Sequence, residues 1–232
     1  MADTSRLRDI LDYLNKYETI SIKQICEKFF VSEATARRDL TALEKQGAVR
    51  RIFGGATLLY GSDKQIPLFV RERENSQEKM RICKKASQFI RDGNVLFIDG
   101  SSTSLFLLNE LTRFKDLIVI TNGLKIAEKL GELHIKVYST GGLLMENSSV
   151  LIGEDAERFV DNFNADICFL SCKGISDNGK LTDTSYFETQ LRKKFLQNSK
   201  LKVMLITKSK YGKEYIHTLC KVDDVDHVIT DD

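Results

Sequence analysis

The sequence predicts an α/β chain in two parts: an N-terminal winged helix-turn-helix joined to a larger domain on a mostly parallel sheet. Amphipathic helical stripes with short breaks fill the first sixty positions. From Asn75 onward, short apolar runs alternate with helical segments, and the single proline, Pro67, lies between the two patterns. A length of 232 residues suits a small and a medium domain at roughly 100–200 residues per domain. The expected organisation is a winged helix-turn-helix over 1–60, an extended linker over 61–74 and an α/β domain over 75–232.

In the first part, Leu7, Ile10, Leu11, Leu14 and Tyr17 recur with helical spacing, which predicts one buried face. Thr19-Ile20-Ser21 breaks that helix. Ser21 and Gln24 then have the spacing of a capping box, with Ile20 and Ile25 as its hydrophobic staple. Ile22, Ile25, Cys26 and Phe29 give a second helix its apolar face. Ser32 is placed to cap a third helix running from about Glu33 to Gln46 and ending at Gly47. Two short helices joined by a few residues have the spacing of a helix-turn-helix. On the third helix Ala36, Leu40 and Leu43 point inward, so Thr35, Arg37, Arg38, Thr41 and Lys45 lie on the outer face or its flanks. Arginine forks and threonine hydroxyls beside the small Ala34 are the chemistry of a helix that enters a major groove. The run AVRRIFGGATLL predicts a hairpin turning at Gly54-Gly55, a wing whose Arg50 and Arg51 can reach backbone phosphate or the minor groove.

Charge agrees with this division. The chain has 35 Lys and Arg against 33 Asp and Glu, a net charge of +2. The ten Lys and Arg against eight Asp and Glu of residues 1–60 account for all of it. No apolar run approaches the ~20 residues of a membrane helix. The N-terminal MADTSRLRDI lacks a secretory apolar stretch, so a cytoplasmic location is expected. Five cysteines are too sparse for a disulfide framework, and Cys168 and Cys172 lack the companions of a zinc set. Neither metal nor cofactor is expected.

Residues 1–60 resemble the winged helix-turn-helix of the DeoR family of bacterial transcriptional regulators. The resemblance is carried by Val31-Ser32-Glu33-Ala34-Thr35-Ala36-Arg37-Arg38-Asp39-Leu40, by Arg6 before Ile10, and by Arg50-Arg51-Ile52-Phe53-Gly54-Gly55-Ala56. It implies a repressor that binds double-stranded operator DNA, usually of a sugar operon. The residues expected at the DNA are Ser32, Thr35, Arg37, Arg38, Thr41, Lys45, Arg50, Arg51, Gly54 and Gly55. One wing-helix unit makes few contacts, so a homo-oligomer, dimer or tetramer, is expected.

In the second part, apolar strands are predicted at Val95–Ile98, Leu117–Ile120, Ile135–Tyr138, Ile167–Leu170, Val203–Ile206 and His227–Ile229, and a helix across Gln77–Ile90. Strands punctuated by helices predict a parallel sheet buried on both faces. Ligands bind such sheets outside the carboxyl ends of the strands. There stand Asp99-Gly100-Ser101-Ser102-Thr103, Thr121-Asn122-Gly123, Thr140-Gly141-Gly142, Ser171-Cys172-Lys173-Gly174 and Thr207-Lys208-Ser209-Lys210. Five polar strand ends describe one pocket. Gly100 to Thr103 opens a helix suited to phosphate, with Lys210 or Lys173 as countercharge. The expected effector residues are Asp99, Gly100, Ser101, Ser102, Thr103, Thr121, Asn122, Gly123, Gly141, Gly142, Lys173, Gly174 and Lys210.

This half is similar to the DeoR-family effector domain, through Ile98-Asp99-Gly100-Ser101-Ser102-Thr103, Thr121-Asn122-Gly123, Gly141-Gly142, Gly153-Glu154, Gly179-Lys180-Leu181-Thr182, Glu188 and Ser209-Lys210-Tyr211-Gly212. The resemblance implies a fold shared with ribose-5-phosphate isomerase, glucosamine-6-phosphate deaminase and CoA transferases, and a phosphorylated sugar or related metabolite as effector. Thr207 stands where the family commonly has Asp. The alternative is a sugar-phosphate isomerase or deaminase carrying a DNA-binding domain. Isomerisation needs a base and an acid at the substrate. Asp99 is the one acid squarely in the strand-end loops, although Asp183 and Glu188 can approach them, and His134, His217 and His227 do not cluster there. A regulator is the favoured reading.

Overall fold

The structure, a computed structural model, describes residues 4–45, 47–58, 68–145 and 148–232. It divides into two compact units, Met1–Arg71 and Glu72–Asp232.

In the first unit, helix α1 (Thr4–Tyr17) leads into strand β1 (Thr19–Ser21), helix α2 (Ile22–Phe29) and helix α3 (Glu33–Lys45). Leu7, Ile10, Leu11 and Leu14 of α1 are buried against Ile22, Ile25, Ala36, Leu40 and Leu43. Tyr17, expected on the same face, is half exposed and edge-packed on Tyr13. The capping box is present: the Gln24 amide donates to Ser21 Oγ, and the Ser21 amide donates to Gln24 Oε1. The Thr35 amide donates to Ser32 Oγ, which caps α3. Gln46, expected at the end of α3, lies outside the described residues. Gly47 takes φ 69°, the left-handed residue that closes a helix.

Strand β2 (Val49–Ile52) and strand β3 (Gly55–Leu58) form the wing, and β1 pairs antiparallel with β3. The break at Thr19-Ile20-Ser21 is therefore the third strand of the winged sheet. The register pairs Ile52 with Gly55, so the turn is Phe53-Gly54 rather than Gly54-Gly55. The expected extended linker over 61–74 is described only from residue 68. There the chain forms helix α4 (Leu68–Arg73), whose Leu68 and Val70 are buried. Apolar Leu68, Phe69 and Val70 supply the burial that propensity alone does not.

Phe30 links α2 to α3 in the left-handed conformation, φ 53°, with its side chain 95% exposed. A non-glycine residue there costs roughly 1–2 kcal/mol, and glycine gives back roughly 0.5–1 kcal/mol of that in unfolded-state entropy. Phe30→Gly is therefore expected to stabilise the first unit by about 0.5–1 kcal/mol, read from its urea midpoint. An unchanged or lowered midpoint would contradict the strain.

In the second unit, helix α5 (Ser76–Ala86) precedes strand β4 (Val95–Ile98) and the one-turn helix α6 (Leu108–Leu111). Strand β5 (Ile118–Thr121), helix α7 (Leu124–Glu132) and strand β6 (Lys136–Ser139) follow. A hairpin of β7 (Leu143–Met145) and β8 (Val150–Ile152) leads to helix α8 (Glu154–Val160) and strand β9 (Ala165–Leu170). The chain closes with β10 (Gly174–Ile175), β11 (Lys180–Asp183), helix α9 (Tyr186–Gln197), β12 (Ser199–Leu205), β13 (His217–Lys221) and β14 (His227–Ile229).

The six expected strands assemble in the order β14-β12-β9-β4-β5-β6, every neighbour parallel. Side chains alternate between its faces. Phe97, Cys168, Leu170 and Met204 meet Leu191 and Phe195 of α9. Their neighbours Leu96, Ile98, Phe169 and Val203 are equally buried on the other face. β10, β11 and β13 form a separate antiparallel sheet. The parallel sheet thus sets its carboxyl ends side by side, the geometry a strand-end site requires.

Candidate functional site

The fold builds two candidate sites, one in each unit. On α3 the inward face holds Ala36, Leu40 and Leu43, all fully buried. Arg37 and Arg38 are exposed, and so are Ser32, Lys45 and Arg50. Arg37 makes an exposed contact with Glu33, Nη2 to Oε2 3.3 Å, one helical turn back. Among the described residues, Arg38, Lys45 and Arg50 form no ion pair.

Buried on the same helix is Asp39, fully inaccessible. Its carboxylate takes Arg6 Nε at 2.6 Å and Arg6 Nη2 at 3.2 Å. This two-pronged pair fastens α1 to the back of α3. On the wing, Arg51 Nη1 donates to Thr41 Oγ1 at 3.1 Å, and the Arg51 amide donates to Glu44 Oε1 at 3.0 Å. Arg51 therefore braces the wing on α3. Arg50, on the opposite side of β2, stays free of such ties.

In the second unit the carboxyl ends of β4, β5, β9 and β12 converge on Asp99. Asp99 is buried and accepts from Ser104 Oγ, the Ser101 amide and the Ser171 amide at 2.6, 3.3 and 3.1 Å. It also takes Arg192 Nε at 2.8 Å. Arg192, on α9, sends Nη1 to Asp183 at 2.9 Å and Nη2 to Glu188 at 2.8 Å. Burial works against the guanidinium charge, but Asp183, Asp99 and Glu188 together hold its pKa well above the ordinary value. Lys210 Nζ donates to Ser171 Oγ at 2.7 Å. Burial pushes the Lys210 pKa down against the pull of Cys172, Asp99 and Asp183.

The loop after β4 holds the polar groups that remain. The Gly100 amide is taken by Asn122 Oδ1, the Ser101 amide by Asp99, and the Ser104 amide by Ser101 Oγ. Among the described residues the amides of Ser102 and Thr103 form no hydrogen bond, and Thr103 Oγ1 is buried with no partner. Lys79 of α5 is buried and donates from Nζ to Ser102 Oγ at 3.2 Å. Two open amides, a hydroxyl and two nearby ammonium groups form a donor set suited to an anion.

Two family models account for nearly the whole chain. The DeoR-like helix-turn-helix domain matches residues 6–60, and the DeoR C terminal sensor domain matches residues 74–232. The chain belongs to the DeoR family. Full-length relatives agree: the HTH-type transcriptional regulator GolR of Listeria innocua is 33% identical over 97% of this chain and 89% of its own. The glycerol-3-phosphate regulon repressor of Escherichia coli is 30% identical over 100% of this chain and 92% of its own. Among solved structures, eIF2B delta from Chaetomium thermophilum is similar with a TM-score of 0.52 at 17% identity, over 71% of this chain and 59% of that one. That likeness concerns the fold alone. The protein is accordingly a DNA-binding transcriptional regulator, and the enzyme alternative falls with the family assignment. No helix among the described residues is long and apolar enough to cross a membrane.

Several residues of this DeoR-family regulator sit differently from their expected places. Gly55 is buried, and a Cβ there would stand 2.2 Å from the Ile20 carbonyl oxygen. It lets β1 approach β3 and is not a surface contact. Asp99, Thr121 and Asn122 are buried and satisfied internally: Thr121 Oγ1 accepts the Gly123 amide, and Asn122 Nδ2 donates to Leu151 O. Gly100 and Gly123 are close-packing positions, since a Cβ on Gly100 would meet Val150 at 2.3 Å and Gly123 Cα at 3.0 Å. Gly174 likewise faces the Lys213 carbonyl oxygen at 2.4 Å. Lys173 turns its Nζ to Thr184 Oγ1.

The five strand ends do not make one small pocket. β6 lies four strand intervals from β12, which at about 4.8 Å each is roughly 19 Å. Gly141 and Gly142 end that outer strand, and a Cβ on Gly142 would stand 2.5 Å from Ile152 O. Gly100 to Thr103 open onto a 3₁₀ turn (Ser104–Leu107) and the four-residue α6, too short for a substantial helix dipole. Lys79 and Arg192 belong to the site and were not expected there. A lysine on the buried stripe of α5 with Ile82, Cys83 and Ala86, and an arginine between Leu191 and Phe195, were the available signals. Burial pushes the thiols of Cys168, Cys172 and Cys220 up to about 12, about 11 and about 12, so they stay protonated.

Proposed function

We propose that this DeoR-family regulator is a repressor released from its operator by a small phosphorylated sugar or related metabolite. The observation that carries this is the donor set at the end of β4: the Ser102 and Thr103 amides, with Lys79 and Lys210 alongside. A dianionic phosphate would satisfy those donors and favour the charged form of Lys210, whose pKa burial lowers. The named role of the Escherichia coli relative, repression of a glycerol-3-phosphate regulon, supports a phosphorylated ligand. On the DNA side, Arg38 reads a base edge while Arg50 meets phosphate, with Thr35, Arg37 and Lys45 flanking. The protein acts in the cytoplasm as a homo-oligomer reading repeated half-sites. An inducer must bind the DNA-incompetent state more tightly than the competent one.

The test is a thermal-shift panel of sugar phosphates and glycerol 3-phosphate, paired with gel shifts on DNA selected by the protein. A ligand at 100 times its Kd adds about 2.7 kcal/mol of stability and should release the DNA. Lys79→Met and Lys210→Met should lose that release yet bind DNA normally. Normal induction of both variants would refute the anion site, and undiminished DNA binding by Arg38→Ala would refute the base-reading role.

A further inference from the structure

The wing ends in an apolar tip. Phe53 is 107% exposed, and Ile52 before it is 40% exposed. Neither is needed by the core of the first unit, which closes over Val49 and Ala56. An aromatic ring held wholly in water gains nothing from burial in the free protein.

The ring is nevertheless presented by an ordered turn. Gly54 takes φ 76°, and its carbonyl accepts the Ile22 amide at 2.8 Å, which ties the tip to the start of α2. Arg51 locks the base of the wing to α3 through Thr41 and Glu44. Between Val49 and Leu58 the wing carries two arginines and no acidic residue. An apolar point on a positive, braced ribbon complements a polyanion whose groove floor is made of base and sugar edges.

We propose that Phe53 is a DNA wedge: its ring enters the minor groove beside the site of α3 and packs on deoxyribose or between base steps, with Ile52 behind it. The inference rests on the operator-binding reading above and adds a contact that neutralises no phosphate. Apolar wedges of this kind unstack a step and bend the duplex, and phosphate contacts alone set the salt dependence of binding.

The experiment uses the full chain and a duplex enriched from a random-sequence library by the wild-type protein. Phe53→Ala should weaken binding by about tenfold, the scale of one lost base–aromatic contact. The slope of log affinity against log salt should stay unchanged, whereas Arg50→Ala should reduce it by about one. The bend measured by end-to-end energy transfer should fall in Phe53→Ala and persist in Phe53→Trp. The thermal midpoint and the mass in solution should match wild type, because the ring touches nothing in the free protein. Wild-type affinity and bend in Phe53→Ala would overturn the wedge. A change of oligomer mass in Phe53→Ala would overturn it too, by assigning the tip to a second copy of the chain. A wild-type chain that enriches no duplex would refute operator binding itself, and the wedge with it.

Discussion

Arg192→Met is expected to cost the second unit about 3–5 kcal/mol, the usual loss when one member of a buried ionic cluster is removed. The three carboxylates around Arg192 come from β4 and its loop, from β11 and from α9. Each lies within hydrogen-bond distance of a different guanidinium nitrogen. The side chains of Arg192, Asp99, Asp183 and Glu188 are all 7% exposed or less, so water cannot replace the lost partner. Methionine fills most of the volume and leaves the carboxylates facing one another. For a unit of this size, about 2–4 °C per kcal/mol puts the fall in thermal midpoint near 10 °C. Arg192→Lys keeps the charge but not the three-way fork, and should lose less. A fall under about 1 kcal/mol for Arg192→Met, on the scale of an exposed pair, would show that the cluster does not hold the sheet to α9. Effector response should also fade, because Asp99 orders the loop that presents Ser102 and Thr103.

The second large effect is expected in the DNA-binding unit. Arg6→Leu removes the partner of Asp39, whose carboxylate is fully buried, while Arg6 itself is partly exposed with 22% of its side chain accessible. That partial exposure places the loss below that of Arg192, at about 2–3 kcal/mol. In so small a unit, about 4–8 °C per kcal/mol makes the midpoint shift roughly 10–20 °C. Operator affinity should drop with it, since Asp39 is the neighbour of Arg38 and fixes the roll of α3 on α1. The double variant Arg6→Leu with Asp39→Leu separates causes. Replacing both members of a buried pair by apolar residues is often neutral or better, so the double variant should recover most of the stability. If it melts as early as Arg6→Leu alone, an unpaired carboxylate is not the reason.

Much of the architecture was legible because its signals are local. Ser21 with Gln24, the apolar stripe of α1, and the runs Val95–Ile98 and Val203–Ile206 each state their structure within a few residues. What stayed hidden depends on neighbours far along the chain. β1 is only three residues long, too short for its alternation to signal a strand, and it is one because Gly55 allows β3 to come close. β10, β11 and β13 are short and mixed in polarity, paired only once the sheet beside them exists. The candidate site shows the same split. The polar strand ends were visible, but strand order was not, so Gly141 and Gly142 were grouped with the end of β12, four strand intervals away. Asp99 looked like a group offered to ligand, whereas Arg192, 93 positions away, had already claimed it. Likewise Arg6 belonged to a recognisable motif whose partner, Asp39, only the packing of α1 on α3 reveals.

The brace between Arg51, Thr41 and Glu44 has a consequence for the operator. Wing and α3 form a caliper whose opening is set by the Arg51 side chain on Thr41 and the Arg51 amide on Glu44. DNA advances about 3.4 Å for each base pair along a strand. If both jaws meet the operator as proposed, adding one pair between the steps they touch would move one of them off its mark, because the brace resists a change of opening. On the proposed operator reading, spacing is therefore read along with sequence: a site with one inserted pair should bind far more weakly in a gel shift than the same site without it.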